Sequence, residues 1–202
     1  MKRKRTDYDL CIAAAHDGDL GALQEAQRRG GFRDASLCAA AACGGNLGCL
    51  RFLFESGCAW DERTVYEAAQ CGNLSCLRYA LDRGCPVHER ACSASAFHGH
   101  FECLRYAHQM NCPLRDVSAH AAAVNGHDAC FRYAYECGAV VRPNRLYLRE
   151  ALRRAVYWPK LRERAKIRHI ALWWAEETGK KTCAEGGVAR ARDKEAYASD
   201  FG

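Results

Sequence analysis

The chain has 202 residues and a formal net charge of +6, with 49% hydrophobic and 27% charged residues. This composition is ordinary for a folded soluble protein. It contains no run of 18 apolar residues, which a membrane-spanning helix would need. The basic residues 1–5 are followed by the polar residues 6–9 instead of an apolar segment, so we expect no secretory signal.

Residues 1–5 are predicted to form a basic extension ahead of the first structural unit. The run Lys2–Arg5 has the composition of a nuclear localisation patch, although such short runs also occur by chance. We therefore expect the protein to occupy the cytoplasm, a reducing compartment, or the nucleus if this patch acts as a signal.

Glycine recurs every 27 residues through the next part of the chain. The first column consists of Gly18, Gly45, Gly72, Gly99 and Gly126. A second column lies twelve residues further along the chain, at Gly30, Gly57, Gly84, Asn111 and Gly138. A fixed period of about 20–50 residues is typical of a solenoid, in which each unit contacts only its neighbours. Residues 6–142 are therefore predicted to form five stacked repeats.

The third repeat shows the pattern within one unit. Val65, Ala68 and Ala69 have the spacing of one helix face, and Gly72 is predicted to end that helix in the left-handed conformation. Asn73 is predicted to cap the second helix by accepting an amide hydrogen. The apolar face of the second helix follows at Leu74, Leu77 and Leu81. Because no alternating strand pattern separates the units, the chain is predicted to be an all-α stack of helix-turn-helix repeats.

The chain contains fourteen cysteines, many of which follow the same period. Equivalent positions in neighbouring repeats lie about 8–10 Å apart, whereas a disulfide needs Cα atoms about 4.4–6.8 Å apart. We interpret these cysteines as small hydrophobic residues of the stack. Structural zinc favours closely spaced CxxC pairs, and the sequence has none, so no metal site is predicted.

Aromatic and basic columns run along the second helices. The aromatic column consists of Phe52, Tyr79, Tyr106 and Tyr133. We expect these rings to pack between repeats with their hydroxyls in contact with water. A ladder on which nucleic-acid bases stack is the less favoured interpretation. The arginine column consists of Arg51, Arg78, Arg105 and Arg132. Acids follow three of these arginines by four residues, at Glu55, Asp82 and Glu136. We predict exposed ion pairs of that spacing, which argue against a phosphate-binding stripe.

These residues resemble ankyrin repeats. The likeness is carried by Ala68-Ala69-x-x-Gly72-Asn73-Leu74, by Cys76-Leu77 and by Gly84-Cys85. Each repeat is six residues shorter than the usual 33. The missing residues are those of the ankyrin β-hairpin finger, so the resemblance implies little or no β-hairpin. The Gly-Cys-Pro and Cys-Leu-Arg-Tyr signatures are similar to those of short ankyrin-like repeats in proteins of giant DNA viruses of amoebae.

Beyond the repeats, residues 143–179 are predicted to form a longer pair of capping helices, with Trp173 and Trp174 as packing residues. The tail, residues 180–202, is predicted to be partly disordered. From Arg142 to Lys194 there are 15 Lys or Arg and 6 Asp or Glu, which gives this segment a charge of +9. The basic cap therefore supports an alternative function, binding to nucleic acid or to an acidic partner.

The sequence does not point to an enzyme. The eight histidines occupy different positions of the repeat, and neither a GxSxG motif, a P-loop nor a paired-acid motif occurs. We therefore predict no catalytic residues and no cofactor.

The resemblance instead implies a protein-interaction scaffold, which we expect to be a monomer. The partner would lie across the concave face formed by the first helices and the loops between repeats. The predicted contacts vary between copies, and on the first helices they are spaced four residues apart. They are Trp60, Glu62, Tyr66, Gln70, Glu89, Ser93, Phe97, Asp116, His120 and Val124.

Overall fold

The computed structural model describes residues 2–30 and 34–139, together with the single positions 170, 173 and 176. Throughout these residues the regular structure is helical, which confirms the all-α prediction. The helices are α1 (Lys2–Asp17), α2 (Leu20–Arg28), α3 (Ala35–Gly44), α4 (Leu47–Glu55), α5 (Glu62–Cys71), α6 (Leu74–Asp82), α7 (Ala91–His98), α8 (Phe101–Gln109), α9 (Asp116–Val124) and α10 (Asp128–Glu136). Among the described helices, none is long and apolar enough to cross a membrane.

Each 27-residue unit contributes one odd-numbered and one even-numbered helix, joined by a tight turn at the first glycine column. Gly45, Gly72 and Gly99 follow α3, α5 and α7 with φ angles of 77°, 77° and 79°. Glycine adopts this left-handed conformation without a steric penalty, which explains its recurrence. In the second column Asn111 takes the same conformation, with φ 64°. Both glycine columns therefore mark helix ends, as predicted.

The core runs along the whole stack. The first helices bury small residues such as Ala68 and Ala69, and the second helices bury larger ones such as Leu77. The large buried column of the second helices comprises Leu23, Leu50, Leu77, Leu104 and Phe131. A cysteine column, Cys49, Cys76, Cys103 and Cys130, is buried beside it. These positions confirm the interpretation of the column cysteines as core residues.

Consecutive first helices pack against each other more extensively than consecutive second helices do. Gly44 shows how closely they approach, because a Cβ atom added there would lie 1.9 Å from the carbonyl oxygen of His16. Small side chains permit this approach. The stack is therefore tighter on the side of α1, α3, α5, α7 and α9, which is the side predicted to be concave.

Asn46 and Asn73 connect one repeat to the one before it. The amide nitrogen of Asn73 donates to the carbonyl oxygens of Ala42 and Cys43 at 2.8 and 2.7 Å. These carbonyls belong to the last turn of α3, where helix carbonyls have few intrahelical partners. That of Ala42 also accepts from the amide of Gly45 at 3.3 Å. The prediction that Asn73 caps its own helix is wrong, since its side chain makes no such bond. In the first repeat Asp19 does cap α2, accepting from the amide of Ala22 at 2.9 Å.

A second cysteine column makes a further set of connections. The thiols of Cys58 and Cys85 donate to the carbonyl oxygens of Asp34 and Asp61 at 3.1 and 3.2 Å. Both acceptors precede the first helix of the same repeat, so each bond ties the two ends of one unit together. The thiol is thus a donor as well as an apolar filler, a role that its weak S–H group allows.

The arginine column does not form the predicted pairs with Glu55, Asp82 and Glu136. Arg78 instead lies over the ring of Tyr106, 5.3 Å from its centroid. The hydroxyl of Tyr106 donates to Asp82. A cation over an aromatic face is attracted by the ring quadrupole, so the arginines link neighbouring second helices. The hydroxyl of Tyr79 is buried without a hydrogen-bond partner in the described part of the chain, in contrast to the wet hydroxyl predicted.

Candidate functional site

The inner side of the stack presents a row of side chains from α5, α7 and α9, which we call the concave surface. On α5, Glu62 is exposed, and Tyr66 and Gln70 are half-buried. These three residues are four apart, so one face of the helix carries them all.

The two following helices continue the row. Before and along α7, Glu89 is exposed, Ser93 is half-buried and Phe97 is 48% exposed. Two other large apolar side chains of the first helices are also exposed, Leu10 on α1 and Val117 on α9, at 67% and 57%. Asp116 is exposed and His120 is half-buried on α9.

Two of the predicted contact residues are placed elsewhere. Val124 is only 3% exposed, so it belongs to the core and offers no surface to a partner. The ring of Trp60 stacks on Phe54 with centroids 3.8 Å apart and meets Tyr79 edge-on at 6.0 Å. Its contacts therefore lie with the second helices α4 and α6, away from the row on the first helices.

Contacts between neighbouring units hold several side chains of the concave surface in place. The ring of Tyr66 packs on that of His88, which precedes α7, with centroids 4.9 Å apart. Glu89 lies 3.7 Å from Arg115, which precedes α9. Ordered side chains lose less conformational entropy when a partner binds, so this arrangement favours recognition.

The charge of the concave surface is mixed, with acidic groups left unpaired. Arg63 is paired with Asp61 at 2.9 Å, whereas Glu62 and Asp116 have no ion-pair partner among the described residues. Phe97 lies eight residues beyond Glu89, which is equivalent to Glu62 and Asp116, so the surface has acidic groups at one end of its helices and an apolar ring towards the other. A ligand with an apolar group and basic groups would match this row.

Two stacked histidines lie where α7 meets α8. Burial lowers the pKa of His100, and the neighbouring His98 lowers it further. The two rings stack with centroids 6.1 Å apart, and Phe97 meets His98 edge-on at 5.0 Å. The lowered pKa favours the neutral form of His100, so the turn between α7 and α8 presents aromatic rings.

One group of potential metal ligands lies at the ends of α3 and α5, where sequence reasoning predicted no metal. The ligand atoms of Cys43, Glu67 and Cys71 all lie within 4.8 Å of one another. Column spacing did not reveal this group, because Cys43 and Cys71 are 28 residues apart, one residue out of the period. The two cysteines thus occupy adjacent positions of the repeat, not the same position, and this offset allows their thiols to meet.

At the other end of the stack, Trp173 packs on the last repeat. Its ring meets those of Phe131 and Tyr135 edge-on, at 6.0 and 5.5 Å, and the guanidinium of Arg132 lies 4.9 Å from its centroid. Ile170 is buried. These contacts agree with the predicted packing role of Trp173. The rest of the predicted cap, the tail at residues 180–202 and nearly all of the basic segment lie outside the described residues.

The fold has a known counterpart. No protein-family model and no curated protein matches the sequence. Among solved structures 24 chains match. One of them is the human ASB11 ankyrin repeat domain, with a TM-score of 0.61 and 18% sequence identity over 80% of this chain and 81% of that chain.

Similarity at this level of identity establishes the fold alone. The class of protein that the structure defines is thus an all-α repeat protein with the ankyrin-repeat fold, in agreement with the resemblance found in the sequence.

Proposed function

We propose that this protein is a non-enzymatic scaffold that binds a protein partner on its concave surface. The observation that carries the proposal is the exposed ring of Phe97 in a row with the unpaired carboxylates of Glu62 and Asp116. Solenoids of stacked repeats generally serve as extended binding surfaces. Within this row, aromatic anchors would supply most of the affinity, and rim charges would supply orientation and association rate.

Several finer statements belong to the same proposal. The scaffold acts as a monomer in a reducing compartment, the cytoplasm or the nucleus. The likeness of its short repeats to those of giant amoebal viruses supports a viral origin. The residues proposed to contact the partner are Glu62, Tyr66, Gln70, Glu89, Ser93, Phe97, Asp116 and His120.

The test is affinity capture with the full chain, followed by quantitative binding to the captured protein. The concave variant Glu62→Gln/Phe97→Ala/Asp116→Gln removes the ring and both charges without touching buried residues. The matched control is Leu20→Ala, which truncates an exposed apolar side chain on a second helix. We expect the concave variant to weaken binding at least about 30-fold, since a central anchor alone is worth about 2 kcal/mol or more. The control should bind like the wild type.

Three results would contradict the proposal. Equal binding by the concave variant would show that another surface is used, and equal loss in the Leu20→Ala control would show that the effect is not local. Captured nucleic acid, with an affinity that falls steeply as salt rises, would instead favour the alternative function through the basic C-terminal segment. Melting curves of all variants establish that each is folded.

A further inference from the structure

Three side chains with metal-binding chemistry meet where α3 and α5 end. Cys43 is the next-to-last residue of α3, and Cys71 is the last residue of α5. Glu67 lies four residues before Cys71, so both project from one face of α5. The sulfur atoms of Cys43 and Cys71 are 3.0 Å apart. The group therefore bridges two neighbouring repeats.

The surroundings of this group leave it open to a cation. Both thiols are half-buried, so they are reached from solvent yet partly shielded from it. Glu67 makes no ion pair with any described residue, and the nearby Arg63 is held by Asp61. Two thiolates and a carboxylate at this distance thus need a positive charge to coexist.

We propose that Cys43, Glu67 and Cys71 form a three-ligand site for a thiophilic divalent cation, with Zn²⁺ as the best match. Zinc takes thiolate, imidazole and carboxylate ligands in tetrahedral geometry. Calcium and magnesium prefer sites made entirely of oxygen atoms, which this group does not offer. With three protein ligands, the fourth position is left to water or to a group from a bound partner.

The geometry requires only a small adjustment. With Zn–S bonds of about 2.3 Å, two sulfur atoms of a tetrahedral site lie about 3.8 Å apart. The present separation of 3.0 Å must therefore open by less than 1 Å, which rotation about the side-chain bonds supplies. A disulfide would instead require the two sulfur atoms to approach to about 2.05 Å. It would not explain why the carboxylate of Glu67 lies beside them.

Two other close thiol pairs among the described residues lack these features. Cys38 interacts with Cys58, and Cys92 interacts with Cys112. All four thiols are buried, and neither pair belongs to a group of three ligands in the described part of the chain. The site at the ends of α3 and α5 therefore differs from the others in exposure and in its carboxylate.

Metal binding is a replacement reaction in which the cation displaces the two thiol protons to solvent. No electron is transferred. Affinity therefore rises with pH, and the bound cation joins the second repeat to the third. Because the metal binds the folded state, it also raises the melting temperature. We expect an increase of about 5–10 °C at a Zn²⁺ concentration 100-fold above the Kd.

The test uses the full chain, reduced with a non-thiol reductant and stripped of metal, and titrated with Co²⁺ and then Zn²⁺. We expect one equivalent of Co²⁺ to bind with a thiolate-to-cobalt charge-transfer band and the absorption of tetrahedral cobalt, and Zn²⁺ to displace it. Cys43→Ser and Cys71→Ser should abolish the charge-transfer band. Glu67→Gln should keep a weaker band and lower the affinity at least about tenfold, because even outer-shell partners are worth about 10–100-fold.

The matched control is Cys137→Ser, which removes an exposed thiol outside the group and should bind metal like the wild type. If a cysteine variant fails to fold, Glu67→Gln decides the question, since it leaves the packing of both thiols unchanged. The proposal is overturned if Co²⁺ produces no charge-transfer band, if Glu67→Gln binds metal as tightly as the wild type, or if Cys43 and Cys71 form a disulfide in the presence of Zn²⁺. These measurements do not involve a protein partner, so their outcome is independent of the proposed scaffold function.

Discussion

The side-chain amide nitrogen of Asn73 lies 2.7 Å from the main-chain carbonyl oxygen of Cys43, which belongs to the preceding repeat. The same side chain fits against Gly45, where a Cβ atom would lie 2.7 Å from its oxygen. Glycine at this position is thus required twice, by its backbone angle and by the neighbouring side chain. The first glycine column and the residues that directly follow it, such as Asn73 after Gly72, therefore act together: each of these residues contacts the glycine of the preceding repeat.

We predict that Asn73→Ala lowers the free energy of unfolding by about 1–3 kcal/mol, because the carbonyl of Cys43 loses its donor and that of Ala42 keeps only the amide of Gly45, at 3.3 Å. Asn73→His should retain most of the stability. Histidine occupies the equivalent position at His100, which bonds to the backbone of Gln70. Urea unfolding followed by circular dichroism measures both. A change below about 0.5 kcal/mol in the alanine variant would show that water replaces the side chain without cost.

Two glycines should respond oppositely to alanine. Gly44→Ala should destabilise the protein by about 1–3 kcal/mol or more, because the new methyl group collides with the backbone of His16. Gly48 is exposed within α4, and a Cβ atom added to it would have no neighbour within 4 Å. Gly48→Ala should therefore stabilise the protein by about 0.5–1 kcal/mol. Thermal melting measures both changes, and an unchanged or higher melting temperature in Gly44→Ala would contradict the close approach of α1 and α3.

Leu10 and Leu37 occupy the same position of the repeat in very different environments. Leu37 is 2% exposed, whereas Leu10, in the first repeat, is 67% exposed. We expect Leu37→Ala to cost about 2–5 kcal/mol and Leu10→Ala less than about 0.5 kcal/mol. Chemical denaturation measures both free energies. A large loss in Leu10→Ala would mean that another surface covers this leucine in solution.

The buried cysteines predict a loss of stability at alkaline pH. Burial raises the pKa of Cys103 and of Cys130 to about 11, from an ordinary value of 9.0. Because the folded state holds these protons more tightly than the unfolded state, their contribution is complete below pH 9. It is lost as the pH rises from about 9 to 11, by on the order of 1–3 kcal/mol for each thiol.

The check is denaturation of the reduced protein at pH 8 and at pH 10. Tyrosine and lysine also titrate in this range, so Cys103→Ala/Cys130→Ala serves as the control. The double variant should lose less stability than the wild type between the two pH values. An equal loss would assign the effect to the other groups.

Much of the fold could be predicted from the sequence, because it depends on local rules. The glycine at each helix end and the small residues on one helix face have one strongly favoured structural meaning, and both predictions are confirmed. The direction of a polar side chain is a different matter. The side-chain amide of Asn73 can donate to carbonyl groups of the previous repeat, and its oxygen can accept from an amide of its own helix. Which of these bonds forms depends on the distance between the two repeats.

The candidate surface was harder to predict for the same reason. Val124 has the spacing of a surface residue, and its burial depends on what packs over it. Trp60 finds aromatic partners on the second helices, which sequence spacing does not reveal. Cys43 and Cys71 meet because the first helices approach closely, and their separation of 28 residues hides them from a search at the period of 27.

Every connection described between units reaches only the adjacent one. Asn46 bonds to α1, Asn73 to α3, and Ser95 to the carbonyl oxygen of Ala69 at 3.2 Å. A tandem duplication of 27 residues would therefore recreate each bond at the new junction and leave all the others undisturbed. Such a chain can lengthen or shorten by whole units during evolution without a different fold, and an engineer could extend the stack in the same increments.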